Sequence, residues 1–119
     1  MNVYDKANDL VRAIKESIEY KNMDLAQKEL SKSPEHMEMV KDFMKAQLNI
    51  QTMTMLKQEI NDETKEAFNA QYMAIMGIES CRKFLEAQNI FGKILQDIYK
   101  MIGETSEVMG DMFKDVMPY

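Results

Sequence analysis

Two residues in this chain could anchor chemistry, and each type occurs once: His36 and Cys81. A single histidine excludes two-His metal sites and the paired Glu-x-x-His motifs of di-metal bundles. Glu35 and Glu38 flank His36, but any further ligands would have to come from elsewhere, and an ordinary exposed histidine is the simpler reading. One cysteine excludes an intrachain disulfide, and zinc and iron–sulfur centres need more thiols than this. Cys81 falls near an expected helix start, which can lower a thiol pKa. With no His or second Cys near it in sequence, it reads as a structural thiol. There is no Gly-rich phosphate loop and no serine nucleophile elbow. Catalytic groups can converge from distant positions, so an enzyme is the minor reading. No catalytic residue, cofactor or metal is expected.

The element that organises the chain spans residues 33–60, SPEHMEMVKDFMKAQLNIQTMTMLKQEI, and is expected to be one long helix. Ser33 can cap it, and Pro34 at the first helical position loses nothing. Glu35 sits in the first turn, where the helix dipole favours a negative charge. The Met, Leu, Gln, Lys and Ala of its body lose little rotamer freedom in a helix. Its length would be ~40 Å at ~1.5 Å per residue.

At 100° per residue, Val40, Met44, Leu48 and Met55 form one stripe, and Met39, Phe43, Ala46, Ile50 and Met53 form a second. Together they exceed the ~100° that a surface helix buries. This helix should therefore have neighbours on more than one side and meet water on one narrow face. Gln47, Gln51 and Gln58 fall between the stripes. A buried amide must find partners. The glutamines either reach a neighbouring helix or a water and do nothing more, or fix the register of an assembly.

Composition sets the frame. The 119 residues suffice for one domain with a modest core, and 45% hydrophobic with 29% charged content is that of a folded soluble chain. The 13 Met are adaptable core filler first and an adaptable interface second. The net charge is −5, with Lys and Arg scattered, which disfavours direct nucleic-acid contact. No apolar run approaches ~18 residues, so no membrane insertion is expected. The beginning, MNVYDKANDL, lacks the features of a signal peptide, and a cytoplasmic location is expected.

The other elements follow in order. A first helix starts at Asn2 or Asp5, with Val3, Ala7, Leu10 and Ile14 as one stripe and Tyr4, Val11 and Ile18 beside it. Ser17 offers a break and a cap. A weaker helix then runs over 18–30 with Tyr20, Met23 and Leu30 inward, unless it continues the first with a kink. Asn61 caps a fourth helix carrying Phe68, Tyr72, Ile75 and Met76, antiparallel to the long one. Gly77 breaks it, and Ser80 is expected to cap a fifth, from 81 to 102. That helix has a heptad-like seam of Phe84, Gln88, Phe91, Leu95, Ile98 and Ile102, and Gly103 is expected to end it. Residues 1–103 thus read as one helical domain and 104–119 as a tail, either a short docked helix or mobile.

Particular residues carry a family resemblance: Asp42–Phe43, Gln47–Leu48, Gln51, Met55 and Glu59–Ile60, with the opening VYDKANDLVRAIKES and the stretch FLEAQNIFGKILQDIYKMI. Together they resemble the YlbF/YmcA-type family of small bacterial helical proteins, in its YheA-like branch. The resemblance covers residues 3–102 and falls on structural positions. It implies an all-α fold with a long antiparallel hairpin, assembling into dimers or larger oligomers. It also implies accessory proteins acting with a membrane-associated endoribonuclease in messenger RNA processing, and affecting competence, biofilm formation and sporulation. The YheA-like branch is similar in fold and undefined in function. Some relatives hold an iron–sulfur cluster on several cysteines, and Cys81 alone does not support it. Where the branch commonly has Gly in the turn after the long helix and Glu in the last helix, this chain has Lys57 and Gln88.

The expectation is therefore an all-α oligomeric bundle of about five helices: a long antiparallel hairpin with additional N-terminal helices. Its role would be a non-enzymatic interaction protein that forms a homo-oligomer and binds a protein partner. The expected interface is Val40, Phe43, Met44, Gln47, Leu48, Ile50, Gln51 and Met55 on the long helix, with Phe84, Gln88, Phe91 and Leu95 on the last. The alternative is a small-molecule- or metal-binding bundle, which needs a buried polar cluster such as Gln47, Gln51 and Gln88 with Tyr72.

Overall fold

A computed structural model describes residues 2–107. These residues form five helices: α1 (Val3–Glu16), α2 (Ile18–Leu30), α3 (Pro34–Met55), α4 (Asp62–Met76) and α5 (Glu79–Glu104). There is no strand among the described residues, and the all-α expectation holds. The part of the expected tail from 108 to 119 lies outside them.

Local hydrogen bonds set most of the boundaries. The Asn2 carboxamide oxygen accepts from the Tyr4 amide at 2.8 Å, and the Asn61 oxygen from the Thr64 amide at 2.8 Å. The Ser33 hydroxyl accepts from the His36 amide at 3.2 Å. Ser17 is extended (ψ 150°) and separates α1 from α2; its hydroxyl accepts from the Tyr20 amide at 3.2 Å and donates to the Ile14 carbonyl at 2.6 Å. The first two helices are therefore distinct and meet at a hydrogen-bonded elbow.

Three boundaries differ from expectation. The long helix ends at Met55. Lys57 adopts φ 57°, its amide donates to Thr54 at 3.1 Å, and the Gln58 amide donates to Met53 at 2.9 Å. That pair of bonds is a Schellman closure, which ends a helix with a left-handed residue and is usually made by Gly. Ser80 does not cap α5: the cap position is Ile78, with no side-chain bond, and the helix starts at Glu79. Gly103 does not end α5, which runs through it to Glu104. A glycine near an exposed end costs at most ~1 kcal/mol, too little by itself to stop a helix whose neighbouring turns are formed.

The core lies where α2 ends, α3 begins, α4 ends and α5 begins. Leu30, Val40, Phe43, Ile75, Cys81 and Leu85 are buried there, with Met37, Met39, Phe68 and Phe84 packed around them. α2 lies against α5, and Tyr20 meets Phe91 edge-on with ring centroids 5.6 Å apart. α4 folds back along α3 as a hairpin. The Arg82 guanidinium donates to the Met76 carbonyl at 3.1 Å, satisfying an orphan acceptor at the end of α4.

The molecule is thin, with extents of 48 × 39 × 17 Å. Its radius of gyration is 18.4 Å, against ~13.5 Å for a compact chain of this length. It exposes 9778 Å², where a compact monomer of this mass exposes ~6,700 Å².

Candidate functional site

Of the two residues that could have anchored chemistry, Cys81 lies in the core and His36 is half-buried beside it. Cys81 is fully buried, and its thiol donates weakly to the His36 carbonyl at 3.9 Å. Burial pushes the thiol up from its ordinary value, partly offset by a hydrogen bond with Ser80. A raised thiol is poor in thiolate and so unreactive. His36 is half-buried in the first turn of α3. Among the described residues, no three His, Cys, Asp or Glu side chains come together as a metal-holding group, and no polar side chain is buried. Gln47, Gln51 and Tyr72 are exposed and Gln88 is half-buried, so they do not form a buried polar cluster. Gln58 lies beyond the end of α3 and is exposed.

What the structure offers instead is apolar surface. The two stripes of α3 part company along the helix. Met39, Ala46, Ile50 and Met53 are half-buried and Phe43 is buried, so the second stripe faces inward throughout. Phe43 stacks on Phe68 of α4 at 5.0 Å and sits 6.1 Å from Tyr72. The first stripe is buried at Val40, half-buried at Met44, and then turns outward: Leu48 is 64% and Met55 82% exposed. Met44, Gln47, Leu48 and Gln51 line a shallow depression on this outer face. The narrow solvent face expected of this helix is therefore a wide one in the single chain.

The seam of α5 follows the same course. Phe91 is buried, Phe84, Gln88, Leu95 and Ile98 are half-buried, and Ile102 is 54% exposed. Val40, Phe43 and Phe91, expected at an interface, are consumed by the chain's own core. Gln47, Leu48, Gln51 and Met55 remain exposed, while Met44 and Leu95 are half-buried. Sequence reading passed over the second apolar surface, α1, which has no buried residue although its stripe has a clear helical period. The signal was present in that period, but only the tertiary arrangement shows that the stripe has no cover.

The sequence of this five-helix chain matches, over residues 3–105, the family described as "Control of competence regulator ComK, YlbF/YmcA". The chain belongs to the Com_YlbF family. The resemblance carried by the α3 and α5 residues is thereby borne out. Com_YlbF relatives include a UPF0342 protein of Symbiobacterium thermophilum, 35% identical over 106 residues, covering 89% of this chain and 95% of the relative. A UPF0342 protein of Caldicellulosiruptor saccharolyticus is 32% identical over 112 residues, 94% of this chain and 93% of its own length. One from Desulfitobacterium hafniense is 32% identical over 105 residues, 87% and 84% of the two chains. The family's description links it to competence regulation. No helix among the described residues is long and apolar enough to cross a membrane.

Proposed function

We propose that this Com_YlbF chain is a non-enzymatic, cytoplasmic interaction protein that self-associates and binds a protein partner. It would serve as an accessory factor in regulation of the kind its family resemblance implies: competence, biofilm formation, sporulation or RNA processing. The carrying observation is the uncovered apolar surface of a plate 17 Å thick, including Val3, Tyr4, Leu48, Met55, Met73 and Ile102. Exposed apolar surface well beyond that of a compact monomer favours association. A closed two-fold pairing is the commonest way to cover it. The acidic balance, −5 overall, favours a protein partner over direct contact with RNA.

Sedimentation velocity tests the reading. A stable oligomer at micromolar concentration is expected, and a well-folded monomer there overturns it. A filter-binding titration tests the exclusion of RNA, which salt-sensitive submicromolar binding would reverse.

A further inference from the structure

Self-association leaves open which surfaces meet, and the helix lengths bear on this. α5 has 26 residues, and α2, with 13, lies against its first half. Leu25 and Glu29 of α2 line one groove with Glu79 and Lys83, while Tyr20 meets Phe91, so the two helices run antiparallel. Among the described residues, no helix lies along the second half of α5 as α2 does along the first, although Leu95 and Ile98 are half-buried there. Ile90, Tyr99, Met101 and Ile102 are each more than half exposed. α1, with 14 residues, matches that second half in length, and none of its own residues is buried.

The patterns match as well. Along the seam Phe91, Leu95, Ile98 and Ile102, spaced four, three and four, Phe91 is already buried and Leu95 and Ile98 half-buried, so the open apolar surface is Ile102 with the flanking Ile90, Tyr99 and Met101. Val3, Ala7, Leu10 and Ile14 recur at the same spacings. Helical stripes of equal period can pack ridge into groove where both are open, which on α5 is its exposed end around Ile102. Beyond the elbow at Ser17, α1 packs on α2 and not appreciably on its own α5.

We infer that α1 docks on the second half of α5 of a second copy of this chain, reciprocally, so that two chains exchange their first helices about a two-fold axis. The pairing rests on the self-association proposed above and specifies its surface. The excess exposed area per chain, roughly 3,000 Å², comfortably exceeds the ~800 Å² per partner that a standard interface removes. The exchange leaves the outer stripe of α3, with Leu48 and Met55, free for another protein.

Amine cross-linking of a mixture of ¹⁴N- and ¹⁵N-labelled chains, co-refolded and read by mass spectrometry, tests the exchange. Lys6 and Lys15 lie on α1, and Lys93 and Lys100 on the second half of α5. Links between those two pairs that join a light to a heavy chain are expected. The same links found only within one isotope would mean that α1 folds back on its own chain, which overturns the exchange. An oligomer linked elsewhere, through Lys41 or Lys45 of α3, overturns the exchange while leaving self-association intact. A monomer by sedimentation overturns both. Leu10→Asp should weaken the dimer by ~100-fold or more, whereas Leu48→Asp should leave it unchanged. Circular dichroism and melting of Leu10→Asp should show the fold preserved, because α1 contributes nothing to the buried core. Equal dimer affinity in Leu10→Asp would refute the exchange.

Discussion

Phe43 of α3 and Phe68 of α4 stack with ring centroids 5.0 Å apart and planes 17° from parallel, which joins the two arms of the hairpin beside the core. Phe43 is buried and Phe68 half-buried. Truncating a buried Phe removes both its transfer energy and its packing. Phe43→Ala should destabilise the chain by ~3–4 kcal/mol in urea unfolding, and Phe68→Ala by about half that. The double variant should cost less than the sum of the two, because the rings share one contact. Strict additivity would mean that the stacking contributes nothing of its own.

The turn after α3 is closed by Lys57 in the left-handed region, φ 57°. A non-glycine residue there costs ~1–2 kcal/mol, and part of that is returned when Gly gains freedom in the unfolded chain. Lys57→Gly should therefore stabilise the protein by roughly 0.5–1 kcal/mol, measured as a rise in the urea midpoint at unchanged slope. A lower midpoint would show that the Lys57 side chain, not the backbone, maintains the turn.

The raised thiol of Cys81 has two consequences. Because its pKa is higher folded than unfolded, folding favours the neutral thiol. That contribution is complete below the unfolded value, ~8.5, and is lost as pH rises through the folded one. Stability should fall on the alkaline side for this reason, and Cys81→Ala should flatten that part of the pH profile. Iodoacetamide labelling of the native chain at pH 8 should also be slow, and rapid in urea. Labelling at the rate of a free cysteine would contradict the burial.

Ser17 holds the elbow with one accepted and one donated bond. Ser17→Ala removes the cap and should cost ~1 kcal/mol. Ser17→Asp can still accept from the Tyr20 amide and should recover most of it. Thermal melts of the two variants separate capping from any general effect of substitution at this position.

Much of this was legible in the sequence, for a physical reason. Asn2, Ser17, Ser33 and Asn61 announce helix starts because a cap is satisfied within three residues, so its signal is local. The inward residues of α2, and Phe68, Ile75 and Met76 of α4, follow from period, whereas Tyr72 on the same expected stripe stays exposed. What was not legible depends on partners distant in sequence. Ile78 begins α5 without a side-chain cap, and Lys57 ends α3 in a conformation that its residue type disfavours. Periodicity placed Met39 and Val40 on separate stripes of α3 but could not say which stripe α4 would cover, or that the other would turn outward beyond Met44. Gln47 and Gln51 were expected near the centre of a covered apolar arc, and in the single chain both are exposed.

α5 is one covalent helix in two thermodynamic settings. Its first half is clamped by α2, α3 and α4, while beyond Phe91 it is half-buried on one side, at Leu95 and Ile98, and otherwise exposed. A half-helix of that length is marginal by itself in water. In an isolated chain, amide protons before Phe91 should exchange only through global opening and those beyond it through fraying, with the boundary falling inside an unbroken helix. Whatever settles on that free end would convert a reversible unwinding into fixed structure, and its binding would register as slowed exchange over some twenty ångströms of rod.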